Sequence, residues 1–335
     1  MSERTEIIMD EETNKRWLLK HLKSSVNNNG VRLPNGVSFK LDDEKTSIWI
    51  RLGRDTAGKC CASANMQTDG AAFEGWALVI RAHIPSISLV SLEWEAPSDI
   101  DGPHYQRFLY RVDRFTKIFK EWFVCKNSYK DHLKICNDQT RGFYKLNVPT
   151  KERTNIPLSV KKWSERWLER SLVANGEPQD ELRKKTNIKV LGNQLPVGVF
   201  RGEVSRRTAV FTGQASAIDL WGVNAKGDEL SLFELKKPGN SKVGVLSELF
   251  FYAMVMKDVI DGRFAFSNDR YPGVDPWPTD YISKKIRRIK AYLLVDKLHC
   301  LVSKRVLDVM NRALVVQGIF VEQLWVDALG KGKDK

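Results

Sequence analysis

Asp219, Glu234 and Lys236 are the residues whose types and spacing point to shared chemistry in this chain. They lie in the stretch from Ala217 to Pro238, where two strand-like runs, Ala-Ile-Asp-Leu-Trp-Gly-Val-Asn and Glu-Leu-Ser-Leu-Phe-Glu-Leu-Lys-Lys-Pro, flank a glycine-bearing turn. With Lys226 and Gly227 at the turn centre, Ala225 opposes Asp228, and the same register sets Asp219 opposite Glu234. Opposed residues of an antiparallel pair project to one face with Cβ atoms roughly 4.5 to 5.5 Å apart, close enough for two carboxylates to share a divalent cation. Lys236 is two residues past Glu234, so strand alternation adds its ammonium to that face. A three-residue loop ending on a left-handed Gly227 would instead shift the register by one and bring Phe233 opposite Asp219. The apolar Ile218, Leu220, Phe233 and Leu235 favour the convergent register, because they then share the opposite face.

Elements on both sides must hold this hairpin. After Lys236, Pro238 stops the strand, Asn240 or Ser241 can cap, and Val243 to Ile260 has helical periodicity, with Glu248 and Tyr252 one turn apart. Upstream, Leu158 to Asn175 reads as a helix with Ser159 as cap, and Glu165 and Glu169 stand four residues apart on it. Strand-like segments follow at Ile188 to Leu191, Pro196 to Gly202 and Thr208 to Thr212. The chain closes with a strand at Ala291 to Asp296, a helix at Lys304 to Val316 and a strand at Ile319 to Val326.

The first half carries no recognisable motif. Val37 to Leu41, Thr46 to Leu52 and Phe73 to Trp94 read as a sheet, and Tyr105 to Phe123 as an amphipathic helix. Asn147 to Pro157 has the composition of a linker, which predicts an α+β N-terminal domain over 1–152, serving substrate or partner recognition, and a second domain over 153–335.

The chain's 54 Lys and Arg against 41 Asp and Glu, a formal charge of +13, favour a polyanionic partner through counterion release. The longest apolar run, Leu249 to Met256, falls well short of the roughly 20 residues a membrane span requires, so no membrane partner is expected. Five acids among the first twelve residues and no apolar signal-like segment predict a cytoplasmic protein. Five scattered cysteines argue against a disulfide framework, and Cys125, His132 and Cys136 lack the fourth ligand and paired spacing of a zinc site.

Gly213-Gln214, Asp219 and Glu234-Leu235-Lys236, followed at once by a helix, resemble the core of the PD-(D/E)XK nuclease superfamily. About 45 residues carry the resemblance. In that family an Asp on one strand and (Asp/Glu)-x-Lys on the next follow a first helix, and a second helix returns across the sheet. The leading proline of the signature is absent here, Ala217-Ile218 standing before Asp219. Glu-Leu-Phe-Phe-Tyr around Glu248 and Tyr252 is similar to the Gln-x-x-x-Tyr motif of RecB-like members, with Glu in place of Gln. The alternative for these two is a solvated Glu248 and a core-packed Tyr252.

The resemblance implies a restriction-endonuclease-like mixed sheet flanked by helices, in an α/β chain, and hydrolysis of phosphodiester bonds, DNA before RNA. Asp219, Glu234 and the Leu235 carbonyl would ligate Mg²⁺ or Mn²⁺, joined by Glu165 or Glu169 of the first helix; for either acid the alternative is a salt-bridged helix face. Lys236 would position or polarise the attacking water, with Gln214 as an accessory contact. Lys237, Lys242, Lys284, Lys285, Arg287 and Arg288 are candidate nucleic-acid contacts near the site, although the run from Lys284 to Lys290 also reads as a solvated helix end. By analogy with other members the implied setting is restriction or antiphage defence, with a homodimer or an activator protein as partner. The competing expectation is a catalytically silent nucleic-acid-binding or interaction module of the same fold.

Overall fold

The computed structural model describes residues 11–135, 141–150, 160–211, 216–237, 242–282 and 285–327. Gln214, Lys284 and Cys136 lie outside them. The chain divides into two compact units, one of 1–134, 242–247 and 299–313, the other of 135–241, 248–298 and 314–335. Residue 152, where the sequence puts the boundary, is among those not described. By contact the first passage falls at 134–135, and the chain returns to the first unit twice.

The first unit holds α1 (Glu11–Val26), β1 (Val37–Leu41), β2 (Ser47–Leu52), α2 (Phe73–His83), β3 (Leu89–Trp94), α3 (Pro103–Ile118) and β4 (Phe123–Cys125). Its sheet runs β1-β2-β3-β4, antiparallel in the first pair and parallel in the other two. The reading of Phe73 to Trp94 as continuous sheet is corrected: its first half is α2. Phe73 to Ile80 are all buried, so this helix has no polar face and its composition is that of a buried strand. Glu74 is tolerated in α2 because the Arg111 guanidinium meets it, Nε donating at 2.7 Å, with the two side chains 0% and 2% exposed.

The second unit contains β5 (Tyr144–Leu146), α4 (Glu165–Val173), α5 (Glu177–Thr186), β6 (Ile188–Pro196), β7 (Val199–Arg201), β8 (Ala217–Asn224), β9 (Glu229–Leu235), α6 (Val245–Ile260), β10 (Phe264–Phe266), α7 (Pro278–Tyr281), β11 (Arg288–Leu294) and β12 (Ile319–Leu324). The first three residues of α6 belong to the first unit, as does all of α8 (Lys304–Leu314) except Leu314. A five-stranded mixed sheet, ordered β12-β11-β9-β8-β6, is antiparallel from β6 to β9 and parallel from β9 to β12. A smaller sheet has the order β10-β5-β7. Both units are thus helices packed with mixed sheets, an α/β chain.

Three local differences from the sequence reading have physical causes. Helix α4 starts at Glu165 with Ser164 as cap, its Oγ accepting from Trp167 N at 3.2 Å; Trp163 before it is left-handed at φ 65°, which ends any helix entering from Val160. Thr208 to Phe211 form no strand beyond a bridge from Ala209 to Phe200. From Lys285 the basic run enters β11 at Arg288, with no helix end among its described residues. No helix among the described residues is long and apolar enough to cross a membrane.

Candidate functional site

The hairpin β8–β9 has the convergent register. Leu220 pairs with Phe233, Trp221 with Leu232, Gly222 with Ser231 and Val223 with Leu230, a series that carries Asp219 opposite Glu234. Gly227 is left-handed, at φ 71°, yet the register does not slip, because the connection Ala225 to Asp228 has four residues rather than three. Asn224 closes it: its Oδ1 accepts from Asp228 N at 3.1 Å and Glu229 N at 3.3 Å, and its Nδ2 donates to Asp228 Oδ1 at 2.7 Å.

One face of this sheet is apolar. Leu220, Phe233, Leu235, Tyr292 and Leu294 pack with Leu168, Leu172 and Val173 of α4 and Leu182 of α5. Strand alternation sends Glu234 to the other face, where α6 lies. Beyond Leu220 and Phe233 the ladder stops, and Leu235 N donates instead to Asp219 Oδ2 at 2.9 Å, so a side chain takes the place of the β8 main chain. Lys236 N donates to Leu294 O at 3.2 Å, which fixes the residue just past the strand end.

Four acids and one lysine gather there. Lys236 Nζ is paired with Glu234 Oε1 and lies 3.1 Å from Glu248 Oε2. Glu234 and Glu248 are 2% and 1% exposed, and each leaves one carboxylate oxygen, Glu234 Oε2 and Glu248 Oε1, buried with no hydrogen-bond partner. Glu169 is also buried; its Oε1 accepts from Asn193 Nδ2 at 2.7 Å and its Oε2 from Gln194 Nε2 at 3.0 Å.

The charges act on one another accordingly. Burial pushes the Asp219 carboxyl up to about 7; Lys236 and the Leu235 N–H pull it down, while Glu169 and Glu248 reinforce the rise. Burial, then Glu248 and Asp219, hold the Glu234 carboxyl well above the usual carboxylate range, against Lys236. Burial alone would lower the Lys236 ammonium, but Glu234 and Glu248 outweigh it and raise it above the ordinary lysine value. A surplus of negative charge around one ammonium, with two bare carboxylate oxygens, calls for a further cation or for protons.

The donor set suits a hard divalent cation: carboxylate oxygens, the unpartnered Glu234 Oε2 among them, beside the main chain of Leu235. Among the described residues no three His, Cys, Asp or Glu side chains converge in a metal-holding group. The set indicated by the sequence is Asp219, Glu234 and the Leu235 carbonyl with Glu165 or Glu169, and its acids do not close into such a group; the Lys236 ammonium stands between Glu234 and Glu248.

The other predicted residues divide. Glu169 joins the acid cluster, whereas Glu165 sits at its rim, Oε1 accepting from Lys237 N at 3.2 Å. Glu248 is in the cluster rather than solvated. Tyr252 is buried one turn along α6, its ring 5.7 Å from Phe251. Lys237 is exposed beside the site, and Lys242 is exposed on a residue of the first unit. The expectation that Lys285, Arg287 and Arg288 lie near the site is corrected. In the parallel pair β9–β11, Arg288 is beside Glu229 and Leu294 beside Leu235, so the basic run is at the hairpin end, about 20 Å along the strands. Arg288 there pairs with Asp228 at 3.2 Å. Asn193 and Gln194, which orient Glu169, escaped the sequence reading; Gln194 is left-handed at φ 50°, an irregularity that a polar pair inside a strand only hints at.

Comparison of this chain with protein-family models, curated proteins and solved structures gives no match.

Proposed function

We propose that the second unit is a PD-(D/E)XK nuclease domain of restriction-endonuclease-like fold, which hydrolyses phosphodiester bonds, DNA before RNA, with Mg²⁺ or Mn²⁺. The observation that carries the reading is the register of β8 and β9, which gathers Asp219, Glu234 and Lys236 at one strand end with bare carboxylate oxygens beside them. The order of elements supports it: helix α4, the antiparallel β6–β8–β9, helix α6, then β11 parallel to β9.

Asp219, Glu234 and the Leu235 carbonyl would hold the cation, with Glu169 the nearer of the two α4 acids. When bound, a hard divalent cation supplies charge compensation for the phosphate and a more acidic water. Lys236 has its ammonium held charged by two carboxylates, so it serves as an electrostatic and hydrogen-bonding group for water or phosphate rather than as a base. Glu169 is oriented by Asn193 and Gln194, and it adds negative charge beside Asp219. Lys237, exposed next to Lys236, is the basic residue placed to meet a backbone phosphate.

The test is cleavage of supercoiled, linear and single-stranded DNA and of RNA with Mg²⁺ or Mn²⁺. Metal-dependent products that disappear in Asp219→Ala and Lys236→Ala establish the reading; cutting that persists in folded variants removes it. A second reading, a catalytically silent nucleic-acid-binding module, draws on the Lys236 ammonium that fills the space between Glu234 and Glu248. Salt-sensitive retention of DNA in EDTA, without cleavage under any metal, is its signature.

A further inference from the structure

One ammonium with two buried carboxylates on separate elements is the unusual feature of the cluster. Glu234 comes from β9 and Glu248 from the first turn of α6. Neutralising the ammonium needs only one of them. Glu248 adds a second carboxylate, 1% exposed and with a bare oxygen, which costs desolvation and like-charge repulsion against Glu234. Glu248 does, however, offer the ammonium a place to stay when Glu234 is otherwise engaged. Lys236 Nζ already lies 3.1 Å from Glu248 Oε2, so no large movement of the lysine is required for that exchange.

We infer that Glu248 is a positioning residue for Lys236: it holds the ammonium in the site when Glu234 turns to a divalent cation, so that lysine and cation do not compete for one carboxylate. The inference rests on the nuclease reading, in which Glu234 is a cation ligand. Glu248 touches neither the cation nor the substrate; it acts through Lys236. Without it the ammonium has Glu234 as its remaining close partner, and every cation that binds must displace a buried ion pair.

The experiment is a double-mutant cycle on Mn²⁺ affinity, read by calorimetry or by the electron paramagnetic resonance of free Mn²⁺, with wild type, Glu248→Gln, Lys236→Met and the double variant. Thermal unfolding in EDTA establishes that each is folded. Glu248→Gln is expected to weaken Mn²⁺ binding by about tenfold, the lower range for groups that orient metal ligands. In the Lys236→Met background the same substitution is expected to have little effect, because no ammonium remains to compete. A loss of the same size in both backgrounds would overturn the inference and make Glu248 a direct ligand. Unchanged affinity in Glu248→Gln would overturn it in favour of a packing role. Failure of the wild type to bind Mn²⁺, or equal binding by Asp219→Asn, would remove the nuclease reading itself and this inference with it.

Discussion

Replacing Asp219 by Asn should stabilise the cation-free protein at alkaline pH while abolishing its response to divalent cations. The Asp219 carboxyl, ordinarily at 3.8, is pushed to about 7 by burial. Its folded value lies above its unfolded one, so its contribution to stability is complete below about pH 4 and is lost as the pH rises through about 7. The full loss corresponds to roughly 4 kcal/mol, at about 1.4 kcal/mol for each decade between the two values. Asparagine has the same shape, carries no charge and keeps an oxygen for the Leu235 N–H. The weaker neutral hydrogen bond costs about 1 kcal/mol. The variant is therefore expected to exceed wild type by roughly 3 kcal/mol near pH 8, and to match it to within about 1 kcal/mol near pH 4.5, where the two effects offset. Urea titrations in EDTA, followed by tryptophan fluorescence at both pH values, measure this difference. Millimolar Mg²⁺ should then raise the wild-type midpoint and leave that of the variant in place. A variant less stable than wild type by the same amount at both pH values would refute the reasoning, since Asp219 would then be comfortable as an anion where it stands.

Three further outcomes follow from the same geometry. Glu169→Ala should weaken Mn²⁺ binding by about tenfold and destabilise the fold by roughly 1 to 3 kcal/mol, because it removes the hydrogen bonds that Asn193 Nδ2 and Gln194 Nε2 make to a charged carboxylate, whereas Glu165→Ala should change affinity by less than about threefold; calorimetry and urea titration separate the two. Gly192→Ala should cost roughly 1 to 3 kcal/mol, since a Cβ there would meet the buried Trp221 Nε1 at 2.6 Å, and a thermal shift near zero would mean the indole moves freely. Arg287→Ala with Arg288→Ala should leave cleavage rates within about twofold, being at the far end of β9, while Lys237→Ala raises KM by several-fold; the reverse ranking in steady-state kinetics would put the substrate at the hairpin end.

How far the sequence discloses such a site depends on the range of the forces that set each part. The hairpin was legible because the register of a short antiparallel connection is local: Asn224, Gly227 and the alternation of Leu220, Phe233 and Leu235 against the charged residues fix it within about twenty residues. The first α4 acid to look at could not be chosen, since Glu165 and Glu169 are one turn apart and only the packing of α4 on β6 brings Glu169 to Asn193. The basic run misled for a related reason. Proximity in a parallel pair is decided by which ends of two strands are level, and nothing local says that Arg288 lies beside Glu229 rather than Leu235.

Helices buried on all sides are the other blind spot, and they bear on function. Phe73 to Ile80 lacks a polar face and so reads as strand, although Glu74 within it, matched to Arg111, already marks a position that solvent does not reach. In α6 the same apolar surround makes Glu248 look like the solvated exception in a greasy segment, when it is buried against the Lys236 ammonium. An acid inside a buried apolar turn must find a cation, a proton or a metal, since a buried, unpaired carboxylate is too costly to keep. The sequence therefore contained the requirement for a partner to Glu248 but not its address, because Lys236 is twelve residues away along the chain and meets it through the geometry of a strand end facing a helix.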